Sequence, residues 1–262
     1  MVSDRTRPAI DFGTTADDYA RHRPGFPPAA FEAFARHGIG LAGQRVLDLG
    51  TGTGSLARGF AVRGTSSVGL DPSPGMIAAA ASLAAPAGGP FALVRAWSES
   101  LPFATATFDV VCAGQCWHWF DRARAAAELA RVLKPDGRAV IAYFSYLAEP
   151  GSLGAASERI VLAHQPGWGW ANKDGRYPRF GADLVAAGLE LEGELDFTLP
   201  IAFTHESWRG RFRACNGVLT LPPDRAAAFD AELAAMLAAE WPEPLVSEHR
   251  VWAVIARRRE PA

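Results

Sequence analysis

Apolar positions along the chain fall into short, nearly unbroken runs, separated by turn residues and by stretches with helical spacing. Val46, Leu47 and Leu49 make the first run, SSVGL (66–70) the second and FALVR (91–95) the third. FDVVCA (108–113) and RAVIAYF (138–144) follow. Runs this short, bounded by Gly, Asp and Pro, predict buried strands. Between them lie helical patterns. Pro27-Pro28 opens AAFEAFARHG, which Gly38 ends, with Phe31 and Phe34 toward the core. A helix follows Gly54 to Ala61, another carries Met76 and Ile77, and 122–133 places Glu128, Leu129 and Val132 on one face. Strand and helix alternation of this kind predicts an α/β fold with a doubly wound, mostly parallel sheet.

Beyond Ser145 the pattern weakens. Residues 146–180 are rich in Gly, Pro and aromatics, with GWGWANKDGRYPRF at their centre. A short helix over 182–188, a strand over 191–199, helices over 207–217 and 226–239, and a last strand over 245–257 are expected. Sheet elements on both sides of the helical insertions predict one domain over 1–262. The insertions at 146–185 and 203–242 would form a helical cap.

Composition narrows the function classes. Apolar residues make up 49% of the 262 and charged residues 21%, enough for a sizeable core. A net charge of −2 gives no reason to expect nucleic acid or an anionic membrane as partner, and no apolar run is long enough to span a bilayer. The opening MVSDRTRPAIDFG lacks the apolar core of a signal peptide. Three scattered cysteines, Cys112, Cys116 and Cys215, fit a reduced, cytoplasmic protein, and a monomer or homodimer is expected. Cys112, Cys116 and His118 lack the second ligand pair that structural zinc needs, so no metal is expected.

The chemistry centres on RVLDLGTGTG (45–54). A strand feeding Gly50, Gly52 and Gly54 and then a helix is a place where backbone approaches a ligand closely, with amides at the helix start turned toward it. Asp48 stands where a buried strand prefers an apolar residue, so it needs polar partners. Asp71 closes the second strand, positioned for a ribose diol. GTGSLA (52–57) also fits a dinucleotide fingerprint, which keeps a nicotinamide cofactor in play at this point.

The ordered succession of this turn, Asp71, Leu101-Pro102, Phe108-Asp109 and RVLKPDG (131–137) resembles the class I S-adenosylmethionine-dependent methyltransferases of small-molecule type, including trans-aconitate and ubiquinone-biosynthesis enzymes. No Tyr-x-x-x-Lys pair follows for hydride chemistry. The resemblance implies a Rossmann-like seven-stranded sheet with an antiparallel last strand and S-adenosylmethionine as cofactor, leaving S-adenosylhomocysteine. It implies cofactor contacts from Asp48, Gly50, Thr51, Gly52, Gly54, Asp71 and Pro72, and from Met76 against the adenine. Residues 1–40 would cover the cofactor, with Tyr19 and Arg23 of the Tyr-x-x-x-Arg-Pro-x-Phe-Pro segment at its methionine end. Trp97 replaces the aspartate common in this family, so backbone groups of Ser98 and Glu99 are expected at the adenine, with Trp97 as a wall. Gln115 and Trp117 lie on the loop leaving the fourth strand.

The expected reaction is methylation of a small metabolite on a hydroxyl or a carboxylate, with methylation of a carbon or nitrogen of a secondary metabolite as the alternative. For a hydroxyl, His118 is the candidate base. For a carboxylate no base is needed, and Arg176, Arg179, Arg209, Arg211 and Arg213 can supply guanidinium forks. Trp117, Trp119, Trp168, Trp170 and Tyr177 are candidate aromatic walls for the dispersed charge of methyl transfer.

Overall fold

The computed structural model describes residues 21–84 and 91–259. Strands β1 (Arg45–Leu49), β2 (Ser66–Leu70), β3 (Ala92–Val94), β4 (Phe108–Gly114), β5 (Leu133–Tyr146), β6 (Glu190–Phe203) and β7 (Leu245–Arg257) form one sheet in the order β3-β2-β1-β4-β5-β7-β6. The first five are parallel, with Asp48 beside Gly69 on one flank and Cys112 on the other. Backbone bonds at Asp136–Arg258 and Leu147–Glu248 run β7 antiparallel to β5. Strand order reverses between β1 and β4, the switch point outside whose carboxyl ends ligands bind in open α/β sheets.

Helices α1 (Pro28–Arg36), α2 (Ser55–Ala61), α3 (Pro74–Ala84) and α4 (Arg122–Val132) separate the early strands, and α5 (Leu153–His164), α6 (Arg179–Ala186), α7 (His205–Arg213), α8 (Asn216–Leu219) and α9 (Pro223–Glu240) follow. As the pattern predicts, Phe31 and Phe34 of α1 are buried, their rings 5.1 and 6.0 Å from Phe60 of α2. Gly59 makes that packing possible, since a Cβ there would lie 2.0 Å from the Phe31 ring.

Three expectations are revised. The fifth strand begins ahead of the run RAVIAYF, at Leu133, with an irregularity where Phe108 pairs with Leu133 but Val110 pairs with Arg138. The third strand is shorter than the run FALVR. Residues 153–164, read from sequence only as glycine- and aromatic-rich chain, form α5, capped by Ser152 Oγ accepting from the Ala155 amide at 3.1 Å.

Contacts divide the described chain into two compact units. One joins 24–84, 91–145, 175–199 and 249–259 around Leu47, Val111, Ile141 and Trp252. The other joins 21–23, 146–174 and 200–248 around Trp208, Phe212, Phe229 and Leu233. Among the described residues, no helix is long and apolar enough to cross a membrane.

Candidate functional site

β1 is buried from Val46 onward and delivers Asp48 to the switch point with 2% of its surface exposed. Its carboxylate is met locally. Oδ2 accepts from Thr51 Oγ1 at 2.6 Å and from the Ala57 amide at 3.2 Å, while Oδ1 faces Cys112 Sγ at 3.6 Å. Burial outweighs these bonds and pushes the carboxyl up to about 6, with the Asp71 charge adding to the effect. Gly69 opposite is required by this arrangement, because a Cβ there would stand 2.8 Å from Thr51 Oγ1.

The three glycines have different tasks. Gly50 (φ +59°) and Gly54 (φ +81°) are packed against side chains, and a Cβ would lie 2.9 Å from Cys116 Sγ or 2.7 Å from the Phe91 ring. Gly52 (φ +55°) alone of the three looks onto open space, with nothing among the described residues within 4 Å of an added Cβ. Gly52 is therefore the point of the turn where a ligand can approach the main chain.

The amides expected to face a ligand are largely turned inward. Thr51 N binds Leu70 O, Gly52 N binds Asp71 Oδ2 at 3.0 Å, Gly54 N binds Thr51 O, and Ala57 N binds Asp48. Two acids thus consume donors of the turn. Asp71 also accepts from the Ser73 amide through Oδ1 at 2.9 Å, so each of its oxygens keeps a lone pair for a further hydroxyl. Burial raises its carboxyl too. Pro72 follows it, and Met76 on α3 is buried.

Ser98 is buried, and the Glu99 carboxylate reaches across to accept from the Asp121 amide at 2.9 Å. That side-chain bond ties the Ser98 corner to the loop after β4. Trp97 is 50% exposed. Leu101 is anchored by Glu128 Oε2, which accepts its amide at 2.7 Å, and Arg131 donates to the carbonyls of Leu101 and Phe103. The RVLKPDG resemblance is thereby accounted for structurally.

The loop after β4 turns at Gln115 (φ +60°), whose amide binds Ala142 O, and closes into a short 3-10 turn over Trp117–Trp119. Trp117 is fully buried with Nε1 donating to Asp183 at 2.9 Å. Cys116 Sγ lies 3.0 Å from Leu49 O, so the two cysteines of this region serve β1. His118 is half-buried, with Nδ1 2.8 Å from Tyr143 Oη, a contact that sequence reasoning missed because β4 and β5 must pair before the two meet.

Tyr19 lies outside the described residues. Arg23 belongs to the helical unit, where its charge acts on the Cys215 thiol, itself raised chiefly by burial. Several expected walls and forks are engaged elsewhere. Trp168 binds Asn216 at 2.9 Å within the helical core, Tyr177 packs on Tyr143, and Arg209 and Arg213 pair with Asp230. Arg176 and Arg250 both pair with Asp196, and Arg211 lies over the Tyr146 ring at 4.5 Å.

An open sheet of this order, with a glycine turn flanked by acids at its switch point, defines a Rossmann-like fold. Residues 47–141 match the methyltransferase domain family. An uncharacterised methyltransferase of Mycobacterium sp. is 34% identical over 199 residues, covering 71% of this chain and 73% of that protein. Another, from Mycobacterium bovis, is 38% identical over 138 residues, covering 53% of this chain. The matched stretch spans 54% of the length of that relative. Among solved structures, phosphoethanolamine N-methyltransferase 2 of Haemonchus contortus, in complex with phosphomonomethylethanolamine and S-adenosylhomocysteine, shares the fold at a TM-score of 0.56. It is 17% identical, covering 96% of this chain and 61% of that one. The chain belongs to the methyltransferase domain family, and S-adenosylmethionine is the cofactor of that class.

Proposed function

We propose that this chain is an S-adenosylmethionine-dependent methyltransferase that methylates a small metabolite on oxygen, at a hydroxyl or a carboxylate. The observation that carries the reading is the placing of two buried acids, Asp48 and Asp71, beside a turn where the amides of Thr51, Gly52, Gly54 and Ala57 are already taken. A dinucleotide brings pyrophosphate to such a turn and needs free amides. A cofactor with cationic sulfonium and ammonium groups instead meets complementary charge. When bound, S-adenosylmethionine supplies a methyl carbon activated by its sulfonium.

The chain's own residues bind and orient. Asp71 has lone pairs for the ribose hydroxyls, Gly52 leaves room for close approach, and Met76 offers a polarizable thioether to the adenine. Gly50, Thr51 and Gly54 hold the turn in shape, with Pro72, Ser98, Glu99, Gln115 and Trp117 on the neighbouring corners. Asp48 sets the charge at the methionine end. His118 is assigned to the acceptor oxygen. The insertions 146–185 and 203–242 are assigned to acceptor choice, because the donor residues are concentrated in the sheet. A net charge of −2 supports a small-molecule partner over nucleic acid, and three free cysteines support a cytoplasmic setting.

Two measurements test the reading. S-adenosylhomocysteine is expected to bind in a calorimeter, and methyl-labelled cofactor to transfer label into a metabolite extract. Binding without any transfer would leave a non-catalytic cofactor-binding protein. His118→Ala is expected to keep S-adenosylhomocysteine affinity near wild type while lowering turnover at least about tenfold.

A further inference from the structure

Ahead of α1 the chain reads Pro24-Gly25-Phe26-Pro27-Pro28, without helix or strand until Pro28 opens the helix. Three of these five residues are prolines, with φ fixed and no amide hydrogen to donate, so the segment is stiff and carries only two backbone donors. One of the two is committed to the helix that follows the glycine turn. The Phe26 amide donates to Ser55 Oγ at 3.0 Å, across 29 residues of sequence. Ser55 is the first residue of α2 and follows Gly54 directly.

Gly25 makes this approach possible. A Cβ there would lie 2.7 Å from Ser55 Oγ but 3.6 Å from Ser55 Cβ, which is ordinary contact. No positive φ calls for glycine at this position, so the missing side chain serves the contact with Ser55.

The same bond fixes where the Phe26 ring goes. The ring lies against Gly114, the last residue of β4, where an added Cβ would meet it at 3.0 Å and Leu56 at 2.6 Å, and its centroid is 6.1 Å from that of Phe144. Phe26 is half-buried, so part of the ring stays open. Leu49 of β1 pairs with Leu70 on one side and with Ala113 on the other. Asp71 and Gly114 each come one residue later, and so stand on opposite sides of the turn. A cofactor with its ribose at Asp71 that crosses Gly52 brings its methionine end to the Gly114 side, where Phe26 stands.

We propose that Ser55 is a positioning residue that straps residues 24–28 onto the cofactor turn, so that Phe26 walls the site on the Gly114 side and slows departure of the cofactor. The strap belongs to the ligand-free chain; its effect on the cofactor rests on the methyltransferase reading. Gly25 is part of the same device, because a methyl group there turns the Ser55 hydroxyl away from the Phe26 amide. A bond that served only to begin α1 would matter to unfolding and not to ligand departure.

Hydrogen exchange of the ligand-free full chain reads the strap itself. The Phe26 amide is expected to exchange at least about fivefold faster in Ser55→Ala and in Gly25→Ala than in wild type. The two variants reach the bond from opposite sides, so either one suffices if the other does not fold. Equal Phe26 exchange in variant and wild type overturns the strap. Dissociation of methyl-labelled S-adenosylmethionine, chased with unlabelled S-adenosylhomocysteine, reads what the strap does. Each single variant is expected to release label about two- to tenfold faster than wild type, the range of one net hydrogen bond. The double variant is expected to be no faster than either single one, since both act through the same bond. Unchanged dissociation in the single variants, or effects that multiply in the double variant, overturns the role of Ser55. A wild type that takes up no label, with Phe26 exchange still slowed by Ser55, overturns the methyltransferase reading and the strap's effect on the cofactor together, while leaving its placement intact.

Discussion

At the scale of single residues, Asp48 is a fully buried carboxyl at the mouth of β1. Its carboxyl is moved by burial from 3.8 to about 6, a shift worth about 3 kcal/mol between protonation states. The folded value lies above the unfolded one, so the folded chain binds the proton more tightly. The stability this contributes is complete below the unfolded value and is lost as pH rises through about 6. Denaturant unfolding of the ligand-free chain at about pH 4 and about pH 7 is expected to show a loss approaching 3 kcal/mol that Asp48→Asn removes. A bound cation would favour the ionised form, so S-adenosylmethionine affinity is expected to rise over the same interval in wild type and not in Asp48→Asn. Asp48 was recognisable in the sequence because a carboxylate inside LDL is out of place. Its partners were not, since Ala57 reaches it only once α2 has folded back. His118–Tyr143 was hidden for the same kind of reason: 25 residues separate the pair, and strand pairing joins them.

Among the elements, the glycine turn separates fold from ligand approach. Gly50→Ala combines a positive φ with a Cβ 2.9 Å from Cys116 Sγ, and Gly54→Ala meets Phe91 in the same way. Both are expected to lower the melting temperature by more than the ~2–4 °C that corresponds to 1 kcal/mol in a chain of this size. Gly52→Ala bears only the backbone strain of about 1 kcal/mol and no clash, yet is expected to weaken S-adenosylhomocysteine binding the most. Equal affinity in Gly52→Ala and wild type would place the ligand elsewhere. Glu128→Ala leaves the Leu101 amide without its acceptor and Arg131 without its carboxylate partner, and is expected to cost about 1–3 kcal/mol in unfolding while sparing affinity. The first five strands were legible because buried parallel strands read as short apolar runs. α5 was missed because LGAASERIVLAH is preceded by glycine and proline, although Ser152 three residues before Ala155 was a usable capping signal.

For the whole molecule, two hydrophobic cores matter. The helical unit has its own, built on Trp208, whose Nε1 donates to Ser157 at 2.9 Å inside the cluster with Phe203, Phe212 and Phe229. Trp208→Ala is expected to cost about 3–5 kcal/mol there, lowering hydrogen-exchange protection of α5, α7 and α9 while β1 and β4 keep theirs. Uniform loss across both units would mean that they unfold as one. This unit was the least legible part of the chain, since its aromatic residues look alike in sequence whether they fill a core or line a pocket. Trp168 and Trp208 fill the core. In the other unit, the acid-flanked glycine turn is assigned to S-adenosylmethionine. Calorimetric titration of the wild-type chain with S-adenosylhomocysteine, and separately with NADH, tests it most directly. One equivalent of S-adenosylhomocysteine bound, with binding lost in Asp71→Ala and no heat from NADH, is the result expected. Binding of NADH with none of S-adenosylhomocysteine would contradict it.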